Sequence, residues 1–205
     1  MLQTRPVAGG LEGAYYDEFR DRVLYGRQEL VHDLLVEPHA VWVELGAGTG
    51  RTLDFLGDNL DRLARVFLVD ANRPLLEVAN RRSRKHSNVT IVDAEPSSTH
   101  LPDRVADVVL CSYSLTTMSE WEEAIEEARR LLSPGGWIGV VDFYGPNWPP
   151  TWLERRDLIP HRTPASEQLA CLSERFRLVS VEHAYGPLPY LPGAGAPFYR
   201  FIGAR

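Results

Sequence analysis

The sequence predicts an α/β fold in which a seven-stranded, mostly parallel sheet carries helices on both faces. Two observations lead to this prediction. Short apolar runs alternate with segments of helical periodicity from residue 41 to residue 143, and this alternation is typical of consecutive β-α-β units. After residue 175, two strand segments are joined by a turn over 187–197 that is rich in proline and glycine. This pair predicts an antiparallel edge.

The spacing of apolar residues assigns the elements in chain order. A helical segment over 11–35 comes first and is expected to cap the sheet. The elements after it are predicted as strand 41–45, helix 50–57, strand 66–70, helix 73–84, strand 89–92, strand 106–111, helix 119–132, strand 137–143, helix 165–172, strand 176–185 and strand 198–202.

Three local signals support the predicted helix boundaries. Pro74 stands early in its helix, where its missing N–H costs no hydrogen bond. Ser119 and Glu122 have the spacing of a capping box at the start of the next long helix. The Pro-Gly-Gly run at 134–136 is expected to end that helix and to release the chain into a strand.

The most informative stretch is the end of the first strand and the glycine loop, residues 46–50. Glu44 ends the apolar run, and Gly46, Gly48 and Gly50 then alternate with Ala47 and Thr49. Glycine tolerates positive φ and carries no Cβ, so this backbone can lie directly against a flat ligand. Gly46, Ala47 and Gly48 are therefore expected to touch a cofactor.

The second strand also ends in an acid. Asp70 follows an apolar run about twenty residues after the last glycine, where a carboxylate can accept the two ribose hydroxyls. Ala71 and Asn72 lie beside it in the expected site. A helix N-cap is the alternative role for Asp70. Together with the glycine loop, this acid predicts a cofactor that contains a nucleoside.

The glycine spacing and Glu44 narrow the choice of cofactor. A dinucleotide fold carries G-x-G-x-x-G and directs a helix N-terminus at a pyrophosphate, whereas this loop reads G-x-G-x-G. A carboxylate at Glu44 would repel a pyrophosphate and would suit a cofactor with an ammonium group. S-adenosylmethionine fits this description. Glu44 either contacts the amino group of the cofactor through water or anchors the loop.

At this point the sequence resembles the class I S-adenosylmethionine-dependent methyltransferases. The resemblance rests on the run from Glu44 to Gly50, on Asp70 and Asp93, and on the turn at 131–136. It implies a Rossmann-like sheet with an antiparallel edge. It also implies that Asp93 binds the adenine amino group and that the backbone of Ala94 meets a ring nitrogen. Ser112 is then expected to offer its carbonyl to the methionine end.

A stretch rich in hydroxyl groups, residues 111–118, follows the fourth strand and is expected to line the reaction site. Tyr113 and Asp142 are candidate catalytic residues, and Tyr16 is a third that would close over the site. Asp142 either orients an acceptor amine or is an ordinary buried carboxylate. Met118 either shapes the acceptor pocket or belongs to the core.

The predicted cap supplies two further cofactor-binding candidates. Arg27 is expected to hold the carboxylate of the cofactor, because a guanidinium can make two parallel hydrogen bonds to it. Tyr25 is expected to help close the site. A surface ion pair is the alternative role for Arg27.

Three short segments have a narrower resemblance to the N-methyltransferases that trimethylate the homoserine amine of betaine lipids. They are Tyr25-Gly26-Arg27, the stretch from Ser112 through Trp121, and 197–203. This resemblance implies methylation of an amine on a lipid headgroup, and a soluble small-molecule amine remains compatible with the same site. Transfer of the aminocarboxypropyl arm, a cyclisation, and a non-catalytic scaffold remain alternatives.

Composition limits the other functions. A chain of 205 residues is expected to form one domain, with 1–35 as its cap and 36–205 as the part that binds S-adenosylmethionine. The net charge of −6 argues against nucleic acid and anionic membranes as partners. No apolar run reaches the roughly 20 residues of a membrane helix. The first ten residues lack an apolar signal segment, so we expect a cytoplasmic protein.

The cysteines and histidines predict neither a disulfide nor a metal site. Cys111 and Cys171 are expected to be reduced, packed thiols. The six histidines show no metal-ligand spacing. The sequence leaves a homodimer open.

Overall fold

The structure is a computed structural model that describes residues 17, 18, 20–34, 38–144, 164–187 and 195–205. Short 3-10 turns occupy Gly57–Arg62 and Leu115–Thr117. The α-helices and strands are α1 (Arg27–Asp33), β1 (Val41–Leu45), α2 (Thr52–Leu56), β2 (Arg65–Asp70), α3 (Arg73–Ser83), β3 (Val89–Asp93), β4 (Ala106–Ser112), α4 (Trp121–Leu131), β5 (Leu132–Phe143), α5 (Ala165–Arg175), β6 (Arg177–Pro187) and β7 (Gly195–Ala204).

The strands form one seven-stranded sheet in the order β3-β2-β1-β4-β5-β7-β6. The pairs among β1 to β5 are parallel, whereas β7 runs antiparallel to both β5 and β6. The predicted α/β fold and its antiparallel edge are thus confirmed. Strand order reverses between β1 and β4, and open α/β sheets bind ligands at the carboxyl ends of the strands beside such a reversal.

Helices cover both faces of the sheet because side chains alternate along each strand. In β1, Trp42 joins an apolar core with α1, α2 and α3, whereas Val43 and Leu45 join a second core with α4 and α5. A Cβ on Gly139 of β5 would lie 2.2 Å from Leu34, so α1 packs directly on the sheet at this glycine. No helix among the described residues is long and apolar enough to span a bilayer.

Several element boundaries differ from the sequence prediction. The predicted capping box is wrong, because α4 begins at Trp121 with Glu120 as its N-cap and no side-chain cap bond. Strand β5 begins at Leu132, five residues earlier than predicted, so the Pro-Gly-Gly run at 134–136 lies inside the strand and does not end α4, which already stops at Leu131. The ladder between β4 and β5 shifts register between Ala106 and Val108. The proline at the start of α3 is confirmed at the N1 or N2 position.

The described part of the predicted N-terminal helical segment is broken into two pieces. Residues 17, 18, 20 and 21 are helical, and α1 starts only after Gly26, whose φ of 78° interrupts the helix. Ion pairs fasten the first piece to the rest of the molecule. Asp17 pairs with Arg82 at 2.6 Å, and Asp21 pairs with Arg51 at 2.7 Å. Residues 11–16, 19 and 35 of this predicted segment lie outside the described residues.

Candidate active site

The glycine loop turns back over the end of β2. The backbone N–H groups of Gly46 and Ala47 both donate to the carbonyl of Val69 at 2.9 Å. Gly46 has a φ of +77°, and a Cβ there would lie 2.5 Å from Cβ of Ser114 and 2.8 Å from Cε of Met118. Glycine is therefore required at 46 by contact with the protein itself. The loop after β1 and the turn after β4 are packed together at this position.

Asp70 joins the loops that follow β1 and β2. Its Oδ2 accepts from the N–H of Gly48 at 2.7 Å, and its Oδ1 accepts from the N–H of Asn72 at 2.8 Å. Burial raises the pKa of Asp70 above its usual value, and these backbone donors oppose that shift. Each carboxylate oxygen still has a second lone pair, so the bonds leave acceptor capacity for hydroxyl groups. The side chain of Asn72, not Asp70, caps α3 by accepting from Leu75.

The acids at the ends of β2 and β3 lie side by side. Asp70 and Asp93 are register partners, and the N–H of Ala94 donates to the carbonyl of Asp70 at 3.2 Å. Asp93 forms an exposed ion pair with Arg73, Nε to Oδ2 at 2.7 Å. Such an exposed pair contributes little stability and leaves the carboxylate accessible. The carboxyl edge of the sheet thus collects the predicted adenosine contacts.

Glu44 is a buried carboxylate, and only one of its two oxygens accepts a hydrogen bond. Its Oε1 accepts from Oγ1 of Thr52 at 2.8 Å, whereas Oε2 is buried and has no hydrogen-bond partner among the described residues. Burial raises its pKa to about 8 against the opposing effects of Thr52, Arg27 and Arg20. An unpaired buried oxygen is costly unless a ligand satisfies it. Glu44 is therefore suited to accept from a bound ammonium group.

Two arginines lie near Glu44, and sequence reasoning identified only one of them. Arg27 is buried, and its guanidinium donates to Asp21 at 2.6 Å and to the carbonyl of Leu24 at 3.1 Å. Arg20 lies closer to the glycine loop, because a Cβ on Gly48 would be 3.6 Å from its Nη1. It also lowers the pKa of Glu44. The only sequence signal for Arg20 was its place on the predicted N-terminal helix, two turns before Arg27.

The end of β4 and the residues after it, 112–118, line the predicted reaction site and are called the wall below. Ser112 is buried at the end of the strand. Tyr113 adopts a left-handed backbone with φ of 52°, a conformation that costs a non-glycine residue about 1–2 kcal/mol. Its hydroxyl donates to the carbonyl of Tyr25 at 2.8 Å, and its ring packs edge-on against Phe143 at 4.7 Å. Strain of this kind is often stored at functional sites.

Asp142 lies behind this wall and is completely buried. Its two oxygens accept from the N–H and the hydroxyl of Thr116 at 3.0 and 2.6 Å, and from the N–H of Phe143 at 2.8 Å. Burial raises its pKa to about 6, and the bonds from Thr116 limit the rise. Of the two roles left open by the sequence, the geometry matches the buried, hydrogen-bonded carboxylate.

The structure does not bring Tyr25 to the glycine loop. A Cβ on Gly186 would lie 1.7 Å from the Tyr25 ring, so this ring packs flat on β6, with its hydroxyl 2.5 Å from the carbonyl of Pro187. Tyr16 lies outside the described residues. Met118 is half-buried and touches both the core beneath α4 and the position of Gly46. Among the described residues no group of three or more His, Cys, Asp or Glu could hold a metal ion.

Comparison with known proteins finds similar chains. Residues 43–140 match the family model described as "Methyltransferase domain". The ubiquinone/menaquinone biosynthesis C-methyltransferase of Hydrogenovibrio crunogenus is 28% identical over 138 residues, which cover 62% of this chain and 54% of that protein. The chain thus spans about half the length of the curated relatives it matches.

Solved structures show the same fold. An S-adenosylmethionine-dependent methyltransferase from Aquifex aeolicus superposes with a TM-score of 0.70 at 17% identity, covering 98% of this chain and 99% of the other. A Haloferax volcanii structure of a complex with the Trm112 methyltransferase activator gives a TM-score of 0.77 at 17% identity and covers 93% of both chains.

The matched region covers just under half of the chain, and together with the shared fold it supports a class I methyltransferase that uses S-adenosylmethionine as its cofactor. The matched region, residues 43–140, contains the glycine loop, Asp70, Asp93 and the wall after β4.

Proposed function

We propose that the protein transfers the methyl group of S-adenosylmethionine to the amine nitrogen of a small-molecule or lipid-headgroup acceptor. The observation that carries the cofactor half of this proposal is the unsatisfied Oε2 of Glu44 beside a glycine loop and a half-buried Asp70. These groups complement an ammonium group and a ribose on one ligand.

The described residues offer a partner for each part of the cofactor. Glu44 would accept from its ammonium group, and Arg20 would meet its carboxylate with the strong bidentate geometry of a guanidinium. Asp70 would take the ribose hydroxyls, with Ala71 and Asn72 beside it, and Asp93 and Ala94 would meet the adenine. Gly46, Ala47, Gly48 and the carbonyl of Ser112 would border the methionine end. Arg27 and Tyr25 would act indirectly, by holding the N-terminal segment in place.

The cofactor supplies a methyl carbon that its sulfonium already activates. The protein must therefore mainly align the acceptor with that carbon and exclude water. The wall can serve both purposes, because its buried, uncharged residues Ser112, Tyr113 and Ser114 lie beside the buried Phe143 of β5. In-line displacement by a neutral amine needs no strong base, because the nitrogen attacks with its own lone pair.

The chemistry of the wall favours an amine over a phenol or a carbon acid. Burial, followed by the charge of Asp142, raises the pKa of Tyr113 well above 10, and the Tyr113 hydroxyl already donates to Tyr25. Asp142 is occupied by Thr116 and Phe143. Neither group is placed to remove a proton from an acceptor. An acceptor that arrives as a neutral amine has no such requirement.

Methyl transfer to carbon is the second candidate, and the similarity to ubiquinone/menaquinone biosynthesis C-methyltransferases favours it. A carbon acceptor would be an electron-rich aromatic ring activated by a hydroxyl group. Such a ring must lose a proton from carbon after attack, so this candidate requires a proton acceptor beyond Tyr113 and Asp142.

The test is a product assay on the purified protein with S-adenosylmethionine and three acceptor sets. These are amino-acid and polyamine amines, amine headgroups on lipid, and hydroxylated aromatic rings. Mass spectrometry identifies the sulfur product, and NMR locates the new methyl group. We expect S-adenosylhomocysteine together with an N-methylated amine. Asp70→Ala should weaken cofactor binding about 100-fold or more by calorimetry, because a site built to hydrogen-bond hydroxyl groups loses its acceptor.

The alternatives give different products. A methyl group on an aromatic carbon would replace the amine proposal with carbon methylation. Methylthioadenosine would indicate transfer of the aminocarboxypropyl arm or its cyclisation. Binding of the cofactor without any product would indicate a scaffold, and unchanged affinity in Asp70→Ala would contradict the assigned site.

A further inference from the structure

The buried network around Asp142 reaches from the centre of the second core to the reaction-site wall. Tyr199 on β7 donates its hydroxyl to Oε1 of Gln168 on α5 at 2.7 Å. Nε2 of Gln168 donates to the Thr116 hydroxyl at 3.4 Å, and that hydroxyl donates to Asp142 at 2.6 Å. Every hydrogen bond in this series is donated in the direction of Asp142. An ionised carboxylate is thus the final acceptor of a one-directional network.

The turn that Asp142 holds is also bonded to the opposite side of the site. Ser114, which precedes the turn Leu115–Thr117, donates its hydroxyl to the carbonyl of Leu45 at 2.9 Å. Thr117 donates back to the carbonyl of Ser114 at 2.8 Å. The Cβ of Ser114 lies where a side chain on Gly46 would have to be. The turn therefore spans the distance from β5 to the glycine loop.

We propose that Asp142 is a positioning residue for methyl transfer, which acts through Thr116 to hold residues 114–117 against the glycine loop without touching the acceptor. This proposal rests on the proposed function. It assigns the Asp142–Thr116 pair, called the latch below, to the rate of the transfer step. Binding of the cofactor depends instead on Glu44 and Asp70, neither of which bonds to the latch.

The latch is expected to open at low pH. Among the described residues, the charge of Asp142 acts on the titratable groups Cys111, Tyr113 and Tyr199, and burial raises the pKa of each. All three are therefore neutral at pH 7. The pKa of Asp142 is about 6, so protonation below that pH places a hydrogen against donors that point toward it. Activity should fall as pH drops through about 6.

The chain offers a matched control for this latch. Thr99 donates its N–H and its hydroxyl to Glu127 at 2.8 and 2.6 Å, in the same pattern as Thr116 with Asp142. Both threonines are buried. The Thr99 pair joins α4 to the loop after β3, and it bonds neither to the wall nor to the glycine loop. Replacing each threonine by valine removes one buried hydroxyl bond to a carboxylate in both cases.

The test compares Thr116→Val with Thr99→Val. We expect Thr116→Val to lower kcat by about 10- to 100-fold, the effect of a slightly misplaced reaction site, with cofactor Kd within about 2-fold of the wild type. Thr99→Val should keep both values while losing a comparable amount of thermal stability. Thr116→Ser, which keeps the hydroxyl, should recover kcat. Asp142→Asn should lack the fall in activity near pH 6.

Two kinetic results would overturn the proposal. One is a kcat for Thr116→Val equal to that of Thr99→Val, and the other is an equal loss of kcat and cofactor affinity. Hydrogen exchange separates failure of the latch from failure of the proposed function. If the wild type makes no S-adenosylhomocysteine, the latch still predicts faster exchange of the 113–118 peptide in Thr116→Val but not in Thr99→Val. Unchanged exchange in both variants would reject it.

Discussion

Glu44 and Asp142 are both fully buried carboxylates near the carboxyl ends of parallel strands, but their surroundings differ. Glu44 faces α1 and α2, has Thr52 as its hydrogen-bond partner, and has a pKa raised to about 8 by burial. Asp142 faces α5, is bonded by Thr116 and Phe143, and has a pKa raised only to about 6.

This difference suits Glu44 to binding a ligand and Asp142 to stabilising the protein around it. The hydrogen bonds from Thr116 and Phe143 compensate the desolvation of Asp142, so its oxygens have little capacity left to bind the substrate amine. Glu44 keeps one buried oxygen unsatisfied, and only a ligand that donates to it can recover that cost. A buried acid at a strand end can therefore serve either role. The number of donors around it decides between them.

The largest expected effect comes from Glu44→Gln. The pKa of Glu44 is about 8 in the folded protein against 4.5 ordinarily, so the folded state binds more protons between these values. The free energy of unfolding of the wild type should thus fall as pH rises from about 4.5 to 8. The amide in the variant stays neutral, so the free energy of unfolding of the variant should exceed that of the wild type by about 5 kcal/mol at pH 9, measured by urea unfolding.

The same variant should bind the cofactor about 10- to 100-fold more weakly at pH 8, because the hydrogen bond to a charged group is lost. Saturating cofactor should flatten the pH dependence of the wild type, since it binds the ionised form. Parallel stability curves for wild type and variant would show that Glu44 does not titrate in this range, and the comparison with Asp142 would fail.

The second-largest effect tests the contact between the glycine loop and residues 114–117. Gly46→Ala places a Cβ against Ser114 and at positive φ, so it should lower the free energy of unfolding by about 3 kcal/mol. Gly48→Ala is the control, because its φ is +55° but its nearest neighbour would lie 3.6 Å away. That variant should cost about 1 kcal/mol from backbone strain. Equal losses in chemical denaturation would mean that the loop and the turn are not closely packed.

The smallest effect concerns the thiol of Cys111, whose pKa depends on the charges of both Asp142 and Glu44. Burial raises the pKa of Cys111, and the charges of Asp142 and Glu44 add to the shift. Cys111 should therefore resist iodoacetamide at pH 8 in the native protein and react fully in urea. Cys171, which is also buried but 7% exposed, should react faster than Cys111, which is 1% exposed. Peptide mass spectrometry measures both rates, and the reverse order would contradict the burial of β4.

Much of the fold and the cofactor edge was predictable because their signals are local. Apolar periodicity indicated the strands of the sheet, and the predicted bounds of β1 match the structure. The bonds from Gly48 and Asn72 to Asp70 join residues on either side of two short loops. The capping box failed for a local reason as well, since α4 begins with Glu120 as its N-cap instead of Ser119.

The remainder of the site was not predictable, because its contacts join residues far apart in the chain. Nothing near Arg20 in the sequence places it beside Gly48, and Tyr113 bonds to Tyr25 across 88 positions. Sequence reasoning left two roles open for Asp142 because two of its donors come from Thr116, 26 residues away.

Local patterns of residues were enough to specify the α/β architecture, the glycine loop and the acids at the strand ends, and through them the class of cofactor. Periodicity and loop chemistry act over a few residues and can be interpreted without a partner. The role of each buried acid, in contrast, was set by the folded arrangement of the whole chain. Desolvation and hydrogen bonding depend on which distant side chains fold around a carboxylate. Glu44 is therefore left with an unfilled acceptor, whereas Asp142 is bound into the wall.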